Sequence, residues 1–142
     1  MSTGSRRKAR ELAMQMLFQG DMGKMTAAEV RKTFWLAREE EEEDADTRGF
    51  AEDLYRVAVA KAKEIDDLIE KYAKNWRIER MPAVDRNVLR LAAAEMLGFQ
   101  STPVPIVINE ALEIARRYSG PESVSFLNGV LDAMSKELLK RI

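Results

Sequence analysis

The stretch Pro103–Met134, PVPIVINEALEIARRYSGPESVSFLNGVLDAM, decides the fold. Ile108, Ala111, Leu112, Ala115 and Tyr118 follow the i, i+3, i+4, i+7 spacing of a helix with one buried face. Leu127, Val130, Leu131, Met134 and Leu138 repeat that spacing after a break of a few residues around Gly120. A connection so short makes the two helices antiparallel neighbours, so their stripes must share one core.

Outward from this hairpin the apolar spacing stays helical. No alternating β-branched run bounded by turn residues occurs, so the chain reads as all-α. Its 142 residues are 46% hydrophobic and 33% charged, the balance of a single globular domain or of two small halves sharing a core. An apolar run of about 18 residues, the minimum for a membrane span, is absent. The polar, basic first residues lack the apolar segment of a secretory signal, which leaves the cytoplasm as the expected location. With no cysteine and no histidine, thiolate nucleophiles, the usual zinc ligand sets and the commonest general base are missing. No Gly-rich phosphate loop or nucleophile elbow compensates, so the expectation is a protein that is not an enzyme and needs no cofactor.

Upstream, Pro82 stops any continuation of the preceding helix, and the next helix has Asp85 in its first turn and Val88, Leu89, Ala92, Ala93 and Met96 inward, closed by Gly98 as a C-cap glycine. Thr102 then reads as the N-cap of the hairpin's first helix, with Pro103 at its first position. From Thr47 to about Trp76 the ridge Phe50, Leu54, Val57, Ala58, Lys61, Ile65, Leu68, Ile69 and Tyr72 predicts one long central helix, roughly 40 Å at about 1.5 Å per residue. Trp76 and Ile78 are expected to plug its end. The run REEEEEDAD, Arg38 to Asp46, reads as a solvated, self-repelling loop, and Thr26 as the N-cap of a helix through Ala37 with Val30, Phe34 and Leu36 or Ala37 inward. The chain divides near residues 76–82 into an N-terminal half, 1–76, and a C-terminal half, 77–142.

The first helix, Ser5 to Gln19, buries Ala9, Leu12, Ala13, Met16 and Leu17 and turns Arg7, Lys8, Glu11, Met14, Gln15 and Phe18 outward, with Arg6 and Arg10 on the flanks. Four basic residues at a helix N-terminus oppose the macrodipole at a cost of roughly 0.3–1 kcal/mol each. A ligand that supplies phosphates accounts for them, as does a solvated, frayed terminus. Basic residues beside outward Gln15 and Phe18 are a usual platform for single-stranded RNA, although Phe18 could equally pack on a neighbouring helix.

Asp85-Arg86-Asn87-Val88-Leu89-Arg90-Leu91-Ala92, Glu95, Pro103, VINEALEIARRY and Phe126-Leu127-Asn128-Gly129-Val130-Leu131-Asp132 together resemble the NusB family of transcription antitermination factors. The run Arg6-Arg7-Lys8-Ala9-Arg10-Glu11 is similar to that family's arginine-rich motif, and the resemblance covers nearly all of the chain outside the acidic run. It implies two three-helix bundles packed roughly perpendicular and no catalysis. It also implies binding of boxA RNA in ribosomal RNA leaders, pairing with NusE, the tenth small-subunit ribosomal protein, and loading into an RNA polymerase antitermination complex. By position, Arg6, Arg7, Lys8 and Arg10 are expected to hold phosphates, with Gln15, Phe18 and Tyr72 near the same surface and Glu122 near the NusE-contacting one. Phe18 stands where the family's tyrosine is expected, Ala94 replaces an aromatic and Ser125 a basic residue. Asn109-Glu110 and Asn128-Gly129 read as architectural, a buried Asn bridging helices and a glycine letting two backbones meet. The alternative function is a helical interaction scaffold, or a homodimer that masks a weak RNA surface.

Overall fold

The computed structural model describes residues 3–74 and 76–140. Among them are seven α-helices and no strand: α1 (Thr3–Gly23), α2 (Ala27–Ala37), α3 (Ala45–Ala60), α4 (Ala62–Tyr72), α5 (Ala83–Gly98), α6 (Val104–Tyr118) and α7 (Pro121–Leu139). A single 3-10 turn, Ile78–Arg80, joins α4 to α5. The all-α reading is borne out.

The hairpin is α6 and α7, joined by Ser119 and Gly120 alone. Leu127, Val130, Leu131, Met134 and Leu138 are all buried, as their spacing requires. On α6 the buried face is Val107, Glu110, Ala111, Leu112, Ile114 and Ala115, while Tyr118 turns outward. The helix starts one residue later than expected, with Pro103 as its N-cap, and Pro105 falls in the first turn where its missing N–H costs nothing. Helix α5 is the hub: it packs against α1, α3, α4, α6 and α7. Ten of its residues are accordingly buried, among them Asp85, Asn87 and Glu95.

The expected central helix is two helices. The chain turns at Lys61 (φ −110°, ψ 22°), which is exposed rather than part of the ridge. Helix α3 packs on α1 and α5, whereas α4 packs on α5 and α7, so the two halves of the ridge follow different neighbours and the axis must break between them. Beyond Tyr72, Ile78 is buried as expected but Trp76 is 46% exposed.

Gly98 ends α5 but is no left-handed cap, since no glycine has positive φ among the described residues. A Cβ there would lie 2.8 Å from Val57 Cγ2, so glycine is required by the close approach of α3 to α5. Helix α1 runs on through Gly20 to Gly23, past the end at Gln19 that its spacing predicts. The left-handed residue after α1 is Lys24, at φ 53°. That conformation strains any side chain, so Lys24→Gly is expected to stabilise the protein by up to about 1 kcal/mol in urea unfolding.

Thr26 caps α2 as expected: its Oγ1 accepts from the Glu29 N–H at 3.2 Å and its own N–H donates to Glu29 Oε1 at 3.0 Å. Inward on α2 are Val30, Phe34 and Trp35, whereas Leu36 is 63% exposed. The acidic run is largely exposed, as expected, and is anchored at a few points. Arg38 donates to Glu41 Oε2 at 2.5 Å, and Asp44 caps α3 by accepting from the Thr47 N–H at 2.7 Å. No buried polar side-chain atom among the described residues lacks a partner.

Candidate nucleic-acid interface

Helix α1 carries the basic cluster along its first turns, and the structure treats its four cations differently. Arg7 makes a two-pronged bond to Glu110 of α6, with Nε–Oε2 2.8 Å and Nη2–Oε1 3.2 Å, and keeps 47% of its side chain exposed. The hydrogen bond and charge of Glu110 raise the Arg7 pKa further above its ordinary value, so it is always a cation. Lys8 lies 3.8 Å from Glu43 of the acidic run and is 44% exposed. Arg6 has no carboxylate within ion-pair distance among the described residues; its guanidinium lies 4.2 Å above the ring of Phe50.

Arg10 differs from the phosphate-holding role expected of it. Both its Nε and Nη2 donate to Glu95 of α5 at 2.7 Å, and the two side chains are almost wholly buried. A guanidinium so placed has its planar fork already filled by a carboxylate, and in the folded protein it ties α1 to α5.

The outward side of α1 is narrower than its spacing predicts. Met14 is 2% and Glu11 5% exposed. Glu11 accepts from Arg117 Nη1 at 3.0 Å and from the Tyr118 hydroxyl at 3.3 Å. Gln15 donates to the Tyr118 hydroxyl at 3.2 Å and accepts from Arg38. Arg117, 66% exposed, thus joins Arg7, Lys8, Gln15 and Tyr118 on one surface, with Phe18 (36% exposed) one turn beyond Gln15. Arg38, Arg117 and Tyr118 were missed from the sequence, although the Arg116-Arg117-Tyr118 run at the end of α6 carried the signal.

Tyr72 is grouped elsewhere. Its hydroxyl donates to Glu137 of α7 at 2.6 Å beside Lys71, on the α4–α7 seam. The hydrogen bond to Glu137, then burial, push its pKa up. Asn109, Asn128 and Gly129 are exposed, and a Cβ on Gly129 would meet nothing within 4 Å, so they bridge no helices. The buried polar residue of that motif is Glu110, which Arg7 neutralises.

Glu122 lies at the turn of the hairpin, exposed in the first turn of α7. It lines a hollow of about 200 Å³ with Trp76, Met81, Pro82, Asp85, Ser123 and Phe126. Trp76 and Phe126 are 6.2 Å apart between ring centres. The floor is fixed by Asp85, buried and accepting from the hydroxyls of Ser119 at 3.0 Å and Ser123 at 2.9 Å. An exposed tryptophan beside a second aromatic ring over a rigid floor is the composition of a protein-contact hot spot, and sequence reasoning did not place Trp76 beside Glu122. Among the described residues no group of acids could hold a metal ion, and no helix is long and apolar enough to cross a membrane.

Comparison with known proteins gives these surfaces a context. Residues 7–136 match the NusB family. The chain is 62% identical over 138 residues to the transcription antitermination protein NusB of Koribacter versatilis, covering 97% of this chain and 93% of that protein. It is 46% identical over 137 residues to NusB of Solibacter usitatus, covering 94% and 90%. It superposes with a TM-score of 0.85 and 29% identity on a chain from the crystal structure of the antitermination factors NusB and NusE in complex with double-stranded RNA, covering 96% of this chain and 99% of that one. With the family match spanning residues 7–136 and 62% identity to a relative across nearly the whole length, the chain belongs to the NusB family of transcription antitermination proteins.

Proposed function

We propose that this protein is a transcription antitermination factor that binds boxA-type RNA along α1 and pairs with NusE, supporting processive transcription of ribosomal RNA operons within an RNA polymerase complex. The observation that carries the reading is the basic edge formed by half-buried Arg6 and Lys8 and exposed Arg7 together with Arg117 and Tyr118. The solved relative bound to NusE and RNA supports it. In this reading the N-terminal half, 1–76, supplies most of the RNA surface, with Gln15 and Phe18 beside the phosphates. The C-terminal half, 77–142, supplies Glu122, which with Trp76 of the linker forms the NusE surface.

With Arg10 engaged by Glu95, three N-terminal cations face the RNA. At about −0.7 per phosphate contact, log K is expected to fall against log salt with a slope near −2 from this cluster. So shallow an electrostatic footprint leaves affinity modest, and NusE is expected to tighten it. The test is titration of boxA and scrambled oligonucleotides at fixed salt with and without NusE. Equal affinities for all four combinations would overturn the reading.

The acidic run contributes to the same balance. Glu43 touches Lys8, and Arg38 at the base of the run bonds Gln15, so the glutamates sit beside the cations that phosphates need. Changing Glu39 through Glu43 to Gln is expected to raise RNA affinity about three- to tenfold at low salt and to have little effect at high salt, where screening removes the repulsion. Binding isotherms at two salt concentrations check this.

A further inference from the structure

A broad hollow lies at Arg6. Arg6, Phe50, Phe99, Gly49, Asp46 and Asp53, with Ser101, Thr102 and Ile106, line a hollow of about 690 Å³ between the start of α1, the start of α3 and the α5–α6 connection. That volume is within the roughly 300–1,000 Å³ range of small-ligand sites. We propose that this hollow is a pocket for one extruded nucleobase of the bound RNA, stacked on the Arg6–Phe50 platform; the proposal rests on the RNA-binding reading above.

Three observations select a base over other occupants. Arg6 is the one cation of the N-terminal four without a carboxylate partner among the described residues, and its planar guanidinium is already laid over Phe50. Phe50 is itself braced edge-on by Phe99, with ring centres 5.3 Å apart. A flat cation held on an aromatic ring offers its second face to another π system, and base stacking on such platforms tolerates any base. Second, the lining carries Asp46 and Asp53, which repel a phosphate from the interior but accept hydrogen bonds from exocyclic amino groups. The strand's phosphates therefore stay outside the hollow, on the basic edge of α1, while a base bearing an amino group, guanine, cytosine or adenine in preference to uracil, enters. Third, Gly49 lines the hollow from α3, and a Cβ built on it meets nothing within 4 Å. The space is open where a side chain would otherwise fill it.

Gly49 makes the test clean. It is exposed on a helix, so Gly49→Leu adds bulk to the hollow without touching the core and raises helix propensity. The probes are a single-stranded boxA-like oligonucleotide and a set in which one nucleotide at a time is abasic. Wild type is expected to lose about tenfold in affinity at one abasic position. Gly49→Leu is expected to lose the same factor on intact RNA and nothing further on that abasic strand, with an unchanged or raised melting temperature. Arg6→Lys should keep the salt slope but lose most of the penalty at that position, because charge survives and the planar face does not. If Gly49→Leu binds every strand as wild type does, the pocket is overturned while the RNA-binding reading stands. If wild type binds none of them, both fall.

Discussion

Glu95→Ala is expected to destabilise the protein by about 3–5 kcal/mol, because it leaves the Arg10 guanidinium buried without its countercharge. Residue exposure is 1% for Glu95 and 5% for Arg10, and the pair is held by two bonds of 2.7 Å, so no water can take over the carboxylate's role. The double replacement Arg10→Met with Glu95→Leu removes both charges and keeps most of the volume. It should recover most of the loss, since a buried ion pair and a well-packed apolar pair of similar size are close in free energy. Urea unfolding of the two single variants and the double variant measures this. RNA titration of the folded double variant then separates the two roles of the motif: unchanged affinity assigns Arg10 to holding α1 on α5, and a loss assigns it to phosphate after all.

Asp21→Asn is the second large effect, expected to cost about 2–3 kcal/mol at neutral pH through loss of charge-assisted hydrogen bonds. Asp21, in the last turn of α1, accepts from Arg86 Nε at 2.6 Å, Asn87 Nδ2 at 2.9 Å and Arg90 Nη1 at 3.0 Å, and Arg90 continues to Asp66 of α4 at 2.9 Å. Burial works against ionisation of Asp21, but the hydrogen bonds from Arg86 and Asn87 and the charges of Arg90 and Arg86 outweigh it and hold the carboxyl below the ordinary carboxylate range. A carboxyl depressed in the folded state binds its proton more readily when unfolded. Its stabilisation is therefore complete above the ordinary range and is lost as pH falls through the depressed value. Wild type should lose stability more steeply in acid than Asp21→Asn, the two curves approaching each other at the lowest pH reached in denaturant titrations. Parallel curves would show that the cluster is not what acid attacks.

The apolar architecture was legible because it is local. Leu127, Val130, Leu131, Met134 and Leu138 lie on one face by arithmetic alone, and all are buried. Spacing gives the direction of a helix face but not how many neighbours surround it. Helix α1 is packed by α2, α3 and α5 and bonded by side chains of α6, so its buried arc reaches Met14 and Glu11, which spacing turned to solvent. The same limit explains Tyr118, in phase with the core stripe yet drawn out to Glu11, and the break at Lys61, set by a change of partner between α3 and α4. For the binding surface, residue type and cluster position were legible in Arg6, Arg7 and Lys8. What separates Arg10 from them is a glutamate 85 positions away, which no local window contains. Tyr72 was in phase with the central ridge, but the ridge's break carried it to α7 instead of α1.

That long reach has a consequence for synthesis. The groups that neutralise or bury the basic end of α1 come late: Glu95 is 85 residues after Arg10, Glu110 103 residues after Arg7, and Arg117 106 residues after the Glu11 it covers. Helix α1 leaves the ribosome before α5 and α6, and closing such long loops is the slow part of folding. Until α5 and α6 emerge, the nascent chain presents Arg7 and Arg10 without these countercharges, next to the RNA-rich surface that is making it. Completion of the second half of the chain therefore does more than add a helical layer: it withdraws Arg10 and clasps Arg7, leaving Arg6 laid on Phe50 without a carboxylate partner among the described residues.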